Sequence, residues 1–136
     1  MQFAPLIPEL NVSDLGRSLT FYCDMIGFRI LFDRRDENFC FLDLGGAQLM
    51  LEEVAVPYSS GYAMGAEAPA YGRVLHFEIQ VPDIDAVHER VRQAGIPVLL
   101  PMHERHYRTG DTTVHVRQFV VADPDGFVVR PQVMLD

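Results

Sequence analysis

Between Leu6 and Val12 the chain alternates faces: Pro8, Leu10 and Val12 point one way, Ile7, Glu9 and Asn11 the other. That period of two predicts a half-buried strand. The pattern returns at Leu75–Val81, with Leu75, Phe77, Ile79 and Val81 on one face and His76, Glu78 and Gln80 on the opposite one. Each strand runs into helical spacing. In the first copy Ser13 or Asp14 can cap, Leu15, Leu19, Tyr22 and Ile26 form an apolar stripe, and Gly27 follows its end. In the second, Asp83 caps, Ile84, Val87, Val91 and Ala94 form the stripe, and Gly95 stops it.

Three more strands are predicted in each half. In the first they are Phe28–Arg34, Asn38–Leu44 and Ala47–Glu53, with turns at Asp36-Glu37-Asn38 and Gly45-Gly46. In the second they are Val98–Leu100, Val114–Ala122 and Gly126–Met134, with Asp123-Pro124-Asp125-Gly126 as the last turn and 101–113 as the main insertion. The halves also match residue by residue. Pro8-Glu-Leu-Asn-Val-Ser-Asp-Leu15 corresponds to Phe77-Glu-Ile-Gln-Val-Pro-Asp-Ile84, and Gly46–Met50 corresponds to Gly126–Arg130.

The expected fold is therefore α+β, two tandem β-α-β-β-β modules in one domain over 1–136. Module one covers 5–53, a long connection 54–72, and module two 73–136. One helix covers one face of each four-stranded sheet. Two such sheets side by side form a curved mixed-sheet cup with the helices outside and the rows Glu9/Asn11 and Glu78/Gln80 inside. A polar row on a concave sheet points to a liganded cavity. The connection is rich in Gly, Ala, Pro and Tyr, and connections of that length are usually either mobile or functional.

Composition narrows the function classes. Eleven basic against nineteen acidic residues give a formal net charge of −8, which argues against a nucleic-acid partner and favours cationic ligands. No apolar run approaches a membrane span and no leader pattern opens the chain, so a soluble cytoplasmic protein without a membrane partner is expected. Cys23 and Cys40, in apolar contexts, are expected as free thiols without metal-ligand spacing.

Val12-Ser-Asp-Leu-x-x-Ser-Leu-x-Phe-Tyr-x-x-x-x-Gly-Phe28 within a duplicated β-α-β-β-β module, followed late by Asp123-Pro-Asp-Gly-Phe127, resembles the vicinal oxygen chelate superfamily. That group includes glyoxalase I, extradiol dioxygenases, fosfomycin-resistance enzymes and bleomycin-resistance proteins. The ligand positions of its metal-dependent members map onto Ile7, Met50, His76 and Arg130. Ile has no ligand atom, a Met thioether suits soft ions, and Arg130 repels a cation. The resemblance thus implies no metal and no cofactor. Pro8-Glu9-Leu10, Glu37–Phe41, Gly46–Leu51 and Arg117-Gln118-Phe119 are most similar to the metal-free bleomycin-resistance branch, whose members bind cationic, aromatic-tailed antibiotics in grooves of a homodimer without catalysis. Its aromatic lining maps to Phe39, and a Trp of that lining falls on His115.

The expected function is binding of a small organic molecule by a homodimer. The expected ligand-binding residues are Glu9, Phe39, Phe41, Met50, Glu52, His76, Glu78, Tyr107, His115, Arg117, Phe119 and Arg130. Glu9, Glu52 and Glu78 would meet cationic groups, while Phe39, Phe41 and Tyr107 would stack on a flat ring. The tyrosines Tyr58, Tyr62, Tyr71 and Tyr107 read as loop residues suited to a lid or dimer contact, and His103, Arg105, His106 and Arg108 as a small basic loop. Arg130 is expected either to pair with Glu9 or Glu78 across the cup or, with His76, to clamp a carboxylate. The second possibility leads to the alternative of a metal-independent enzyme acting through His76 and Arg130. An accessory module serving another protein is a third class.

Overall fold

The computed structural model describes residues 2–54 and 75–135. The chain divides into two compact units, Met1–Ala70 and Tyr71–Asp136.

In the first unit, strand β1 (Glu9–Val12) leads into α1 (Leu15–Leu19), which continues as a π-helical turn over Thr20–Ile26. Strands β2 (Arg29–Arg34), β3 (Phe39–Leu44) and β4 (Ala47–Glu53) complete a sheet of order β1-β4-β3-β2. Strand β1 is parallel to β4, and the β2–β3 and β3–β4 pairs are antiparallel. The second unit repeats the scheme with β5 (His76–Gln80), α2 (Ile84–Gln93), β6 (Val98–Thr109), β7 (Thr112–Ala122) and β8 (Val128–Met134), in the order β5-β8-β7-β6. Each unit is thus the expected β-α-β-β-β module.

The predicted stops and starts act as the chemistry requires. Asp14 accepts the Arg17 N–H at 2.9 Å and Asp83 accepts the Ala86 N–H at 3.1 Å, each relieving an unpaired donor of a helix's first turn. Gly45 and Gly46 turn β3 into β4 with φ of 56° and 96°, the pair of positive angles that a two-residue hairpin needs. The core of the first unit lies between the helix and one sheet face. Leu10, Val12, Cys40, Leu42, Leu49 and Leu51 from the sheet bury against Leu15, Phe21, Tyr22 and Ile26. Each large apolar side chain there contributes about 1.5–3 kcal/mol by burial. Ile84, Val87 and Val91 of α2 do the same over Ile79, Phe119, Val121 and Val129.

Four expectations need correction. Strand β1 begins at Glu9 rather than Leu6, because Pro5 and Pro8 have no N–H for a ladder and the preceding chain takes another course. The first helix buries Ser18 and Phe21 besides the expected Leu15, Tyr22 and Ile26, whereas Leu19 is only half-buried; its second part, Thr20–Ile26, is a π-turn that places the adjacent Phe21 and Tyr22 both inside. Ala94 is exposed at the end of α2. The segment 101–113 is no loop: β6 continues to Thr109 through register irregularities between Val98 and His103, and pairs with β7 out to Thr112. His103, Arg105, His106, Tyr107 and Arg108 are therefore strand residues, hidden from a pattern search because they alternate polar with polar.

Asp83→Ala is expected to lower stability by about 0.5–2 kcal/mol, the usual loss of an N-cap. A urea melt checks it; an unchanged midpoint would show that α2 does not depend on its cap.

Candidate functional site

With the helix on one side of each sheet, the opposite face carries the polar and aromatic side chains. In the first unit the register sets them in rows. Glu9 stands beside Met50, Met50 beside Phe41, and Phe41 beside Phe32; Asn11, Glu52, Phe39 and Arg34 form the next row. Five expected residues (Glu9, Phe39, Phe41, Met50 and Glu52) therefore share one face.

Their chemistry is coherent. Phe32 and Phe41 stack with centroids 4.9 Å apart at 15°, and Phe39 lies 6.2 Å from Phe32. The Arg34 guanidinium carbon sits 4.0 Å over the Phe39 ring, a cation–π contact, while Arg34 Nε donates to Glu37 Oε2 at 2.7 Å. Beside the rings, burial pushes the Glu9 carboxyl above its ordinary range, the Glu52 carboxylate pushes it further, and Arg34 partly offsets both. Two neighbouring carboxylates, one of them partly desolvated, favour an incoming cation. Phe32 and Arg34 escaped sequence reading because only the β2–β3 register puts them beside Phe41 and Phe39.

The second unit distributes its expected residues over both faces. His76, Glu78 and Arg130 share the face away from α2, around an open pocket of about 400 Å³ that Leu99, Leu100 and Val120 also line. Glu78 and Arg130 are direct neighbours on β5 and β8. Arg130 Nη2 donates to Glu78 Oε2 at 2.7 Å, and Gln132 Nε2 donates to Glu78 Oε1 at 2.8 Å. The ion pair expected across a cup is thus a pair within one sheet, and both oxygens of Glu78 already have donors. Tyr107 is on the same face, its hydroxyl accepting from Gln118 Nε2 at 2.9 Å. Gln118 itself is only 2% exposed and was overlooked: a Gln between Arg and Phe gives no sign of facing away from both.

His115, Arg117 and Phe119 alternate to the other face. Arg117 Nη1 donates to Asp85 of α2 at 2.7 Å, and Phe119 is fully buried, edge-on to His88 of α2 at 4.9 Å. His115 stacks on His106 at 4.1 Å, with Glu104 3.6 Å from its Nε2. These three do not join the face that holds His76 and Arg130; Arg117 pairs with Val133 and Val121 with Val129, so the odd-numbered side chains of β7 share the α2 face with Val129. Tyr58, Tyr62 and Tyr71 lie outside the described residues. Cys23 and Cys40 are free thiols; burial pushes Cys23 up to about 11 and raises Cys40, so neither is a ready nucleophile.

Residues 4–130 match the sequence profile of the Glyoxalase/Bleomycin resistance protein/Dioxygenase superfamily. The chain belongs to this superfamily. It is 34% identical over 127 residues to the lactoylglutathione lyase of Haemophilus influenzae, spanning 89% of this chain and 85% of that one. It is 28% identical over 131 residues to the bleomycin resistance protein of Geobacillus stearothermophilus, spanning 90% and 91%. Among solved structures, TioX from Micromonospora sp. ML1 superposes with a TM-score of 0.68 at 21% identity, covering 99% of this chain and 100% of that one. The glyoxalase/bleomycin resistance protein/dioxygenase from Alicyclobacillus acidocaldarius gives 0.61 at 20% identity, covering 96% and 91%. At those identities the two structures support the fold alone.

The residues at the superfamily's metal-ligand positions do not fit a divalent ion. Ile7 lies ahead of β1 with no donor atom, Met50 offers a thioether, and Arg130 brings a cation already bridged to Glu78. Among the described residues no three His, Cys, Asp or Glu side chains gather in a way that could hold a metal. No helix of the described residues is long and apolar enough to cross a membrane.

The Glu78–Arg130 side chains are 42% and 39% exposed. Arg130→Met is therefore expected to cost at most about 1 kcal/mol, as for solvated pairs. A loss in the roughly 3–5 kcal/mol range of buried pairs would contradict this wet placement. For Glu9 the sign runs the other way from a usual carboxylate. Its proton is held more tightly in the folded state, so stability falls as pH rises from the ordinary Glu value through the folded one. Glu9→Gln should raise the urea midpoint at neutral pH and leave it unchanged in acid below both values. A neutral-pH loss would contradict the assignment.

Proposed function

We propose that this protein binds a small organic cation bearing a flat ring, on the open face of its first unit, without transforming it. The observation that carries this reading is the adjacency of the Phe32/Phe39/Phe41 cluster to the Glu9/Glu52 carboxylates. Half-buried Phe32 supplies stacking area directly, Phe39 and Phe41, only 5% and 3% exposed, supply it once the side chains over them move, and the carboxylates supply charge complementarity in a partly desolvated place. The relatives named bleomycin resistance protein make a cationic, aromatic antibiotic a sensible class of ligand. Met50 beside Glu9 adds a soft apolar contact.

A homodimer belongs to the reading. The exposed apolar side chains Leu99, Leu100, Met134 and Leu135 of the second unit offer a contact surface for a second copy. Light scattering should give twice the 15.4 kDa chain mass. A monomer mass at micromolar concentration would count against it.

The alternative, a metal-independent enzyme, draws support from the relative named lactoylglutathione lyase and from the pocket that His76 and Arg130 line. Against it, the Arg130 charge is directed at Glu78, which leaves a carboxylate substrate a weakened clamp. The non-catalytic reading is preferred for that reason.

Calorimetric titration with bleomycin tests the proposal. Binding should weaken about ten- to hundredfold in the double variant Glu9→Gln/Glu52→Gln, the loss expected when a cation forfeits charged hydrogen-bond partners. No heat with wild type, or equal affinity in the double variant, would refute it.

A further inference from the structure

The open face of the first unit already has an occupant. Residues 2–5 do not prolong the β1–β4 ladder; they are held over the face by the side chain of Gln48, which is 8% exposed. Gln48 Oε1 accepts the Ala4 N–H at 2.6 Å, and Gln48 Nε2 donates to the Gln2 carbonyl at 2.7 Å and to Asp43 Oδ1 at 3.1 Å. A carboxamide offers one acceptor and two donors in a plane, so here it imitates a neighbouring strand's peptide group. Between the two held backbone groups, Phe3 is set edge-on to Phe41 at 5.4 Å and to Phe32 at 6.4 Å.

This arm is attached rather than packed in. Phe3 remains 53% exposed, and a cavity of about 440 Å³ opens beside it, bounded by Phe3, Arg29, Leu31, Asp43 and Gln48. Lifting the arm breaks two backbone hydrogen bonds and two ring edges, while the sheet keeps its own ladder. On the adjoining ring, Arg34 places a guanidinium over Phe39. One ring and one planar cation of the chain itself thus sit on the aromatic cluster, beside Glu9 and Glu52.

We propose that Phe3 and Arg34 are internal competitors for the ligand and define its class: a flat aromatic amidine or guanidine, whose ring displaces Phe3 and whose cation takes the place of Arg34. The N-terminal arm sets the threshold for binding, and Gln48 holds the arm. The inference rests on the aromatic-cation reading of this face given under Proposed function.

The chain contains no Trp, so Phe3→Trp creates a single emitter on the arm. The probe is DAPI, a flat aromatic bis-amidine, with the same ring system lacking its amidines as control. In the Phe3→Trp background, adding Gln48→Ala should shift Trp emission to the red without any ligand, and DAPI should cause the same shift with Gln48 intact. Gln48→Ala alone should bind DAPI about two- to tenfold more tightly than wild type, the equivalent of removing one competing ring contact. The control ring should bind far more weakly to both. Removal of residues 2–5 replaces Gln48→Ala should that variant fail to fold. Unmoved emission on Gln48→Ala would overturn the strap. Equal DAPI affinity in wild type and Gln48→Ala, or a blue shift on binding, would overturn competition, the latter showing the arm closing on the ligand as a wall. Absence of DAPI binding to wild type and opened variants alike would instead defeat the reading of the face itself, and this proposal with it.

Discussion

A four-stranded sheet that has one helix to cover it must leave its other face to side chains that tolerate water, ligand or a partner. That constraint governs both units of this protein. Where the helix packs, the sheet presents Leu, Val and Cys; on the reverse it presents Glu, Asn, Gln, Met and Phe. The first unit resolves the tension by gathering aromatic rings around one another and laying its own N-terminal arm across them. The second resolves it with hydrogen bonds, through Glu78, Arg130 and Gln132 and again through Tyr107 and Gln118. The two copies of one module thus diverge most on the face that the fold leaves uncovered.

This divergence leaves the fold indifferent to which side chains stand at the positions where the superfamily resemblance places metal ligands. Positions 7, 50, 76 and 130 sit at strand entrances or on open faces, outside the cores formed by Leu10, Leu51, Ile79 and Val129. Replacing a ligand there costs little packing. Arg130 pairs with Glu78 on the neighbouring strand of its own sheet, and Met50 joins the row between Glu9 and Phe41. The cation recognition proposed for this protein draws on the acidic, aromatic side of the first unit.

Most of the fold was legible because its signals are local. Asp14 and Asp83 cap, Gly27 and Gly95 terminate, Gly45-Gly46 turns, and strand β4 falls on the bounds that alternation predicts. The missed features depend on information absent from any single segment. The outer half of β6 has no apolar alternation, since its stability comes from pairing with β7. The faces of His115, Arg117 and Phe119 depend on the phase of β7 against α2, which no composition rule supplies. In the first unit, strand parity points to Glu9 and the family resemblance to Met50, but Phe32, Arg34, Phe3 and Gln48 require the register of three strands and the path of the arm.

The central claim is that recognition takes place on the open face of the first unit, where rings and paired carboxylates meet. Amide chemical-shift mapping of the isotope-labelled protein during titration with bleomycin tests it most directly. The account predicts that the largest shifts fall on Glu9, Asn11, Phe39, Phe41, Met50 and Glu52. Shifts concentrated instead on His76, Glu78, Val128 and Arg130, with the first unit silent, would contradict it and place the site in the second unit.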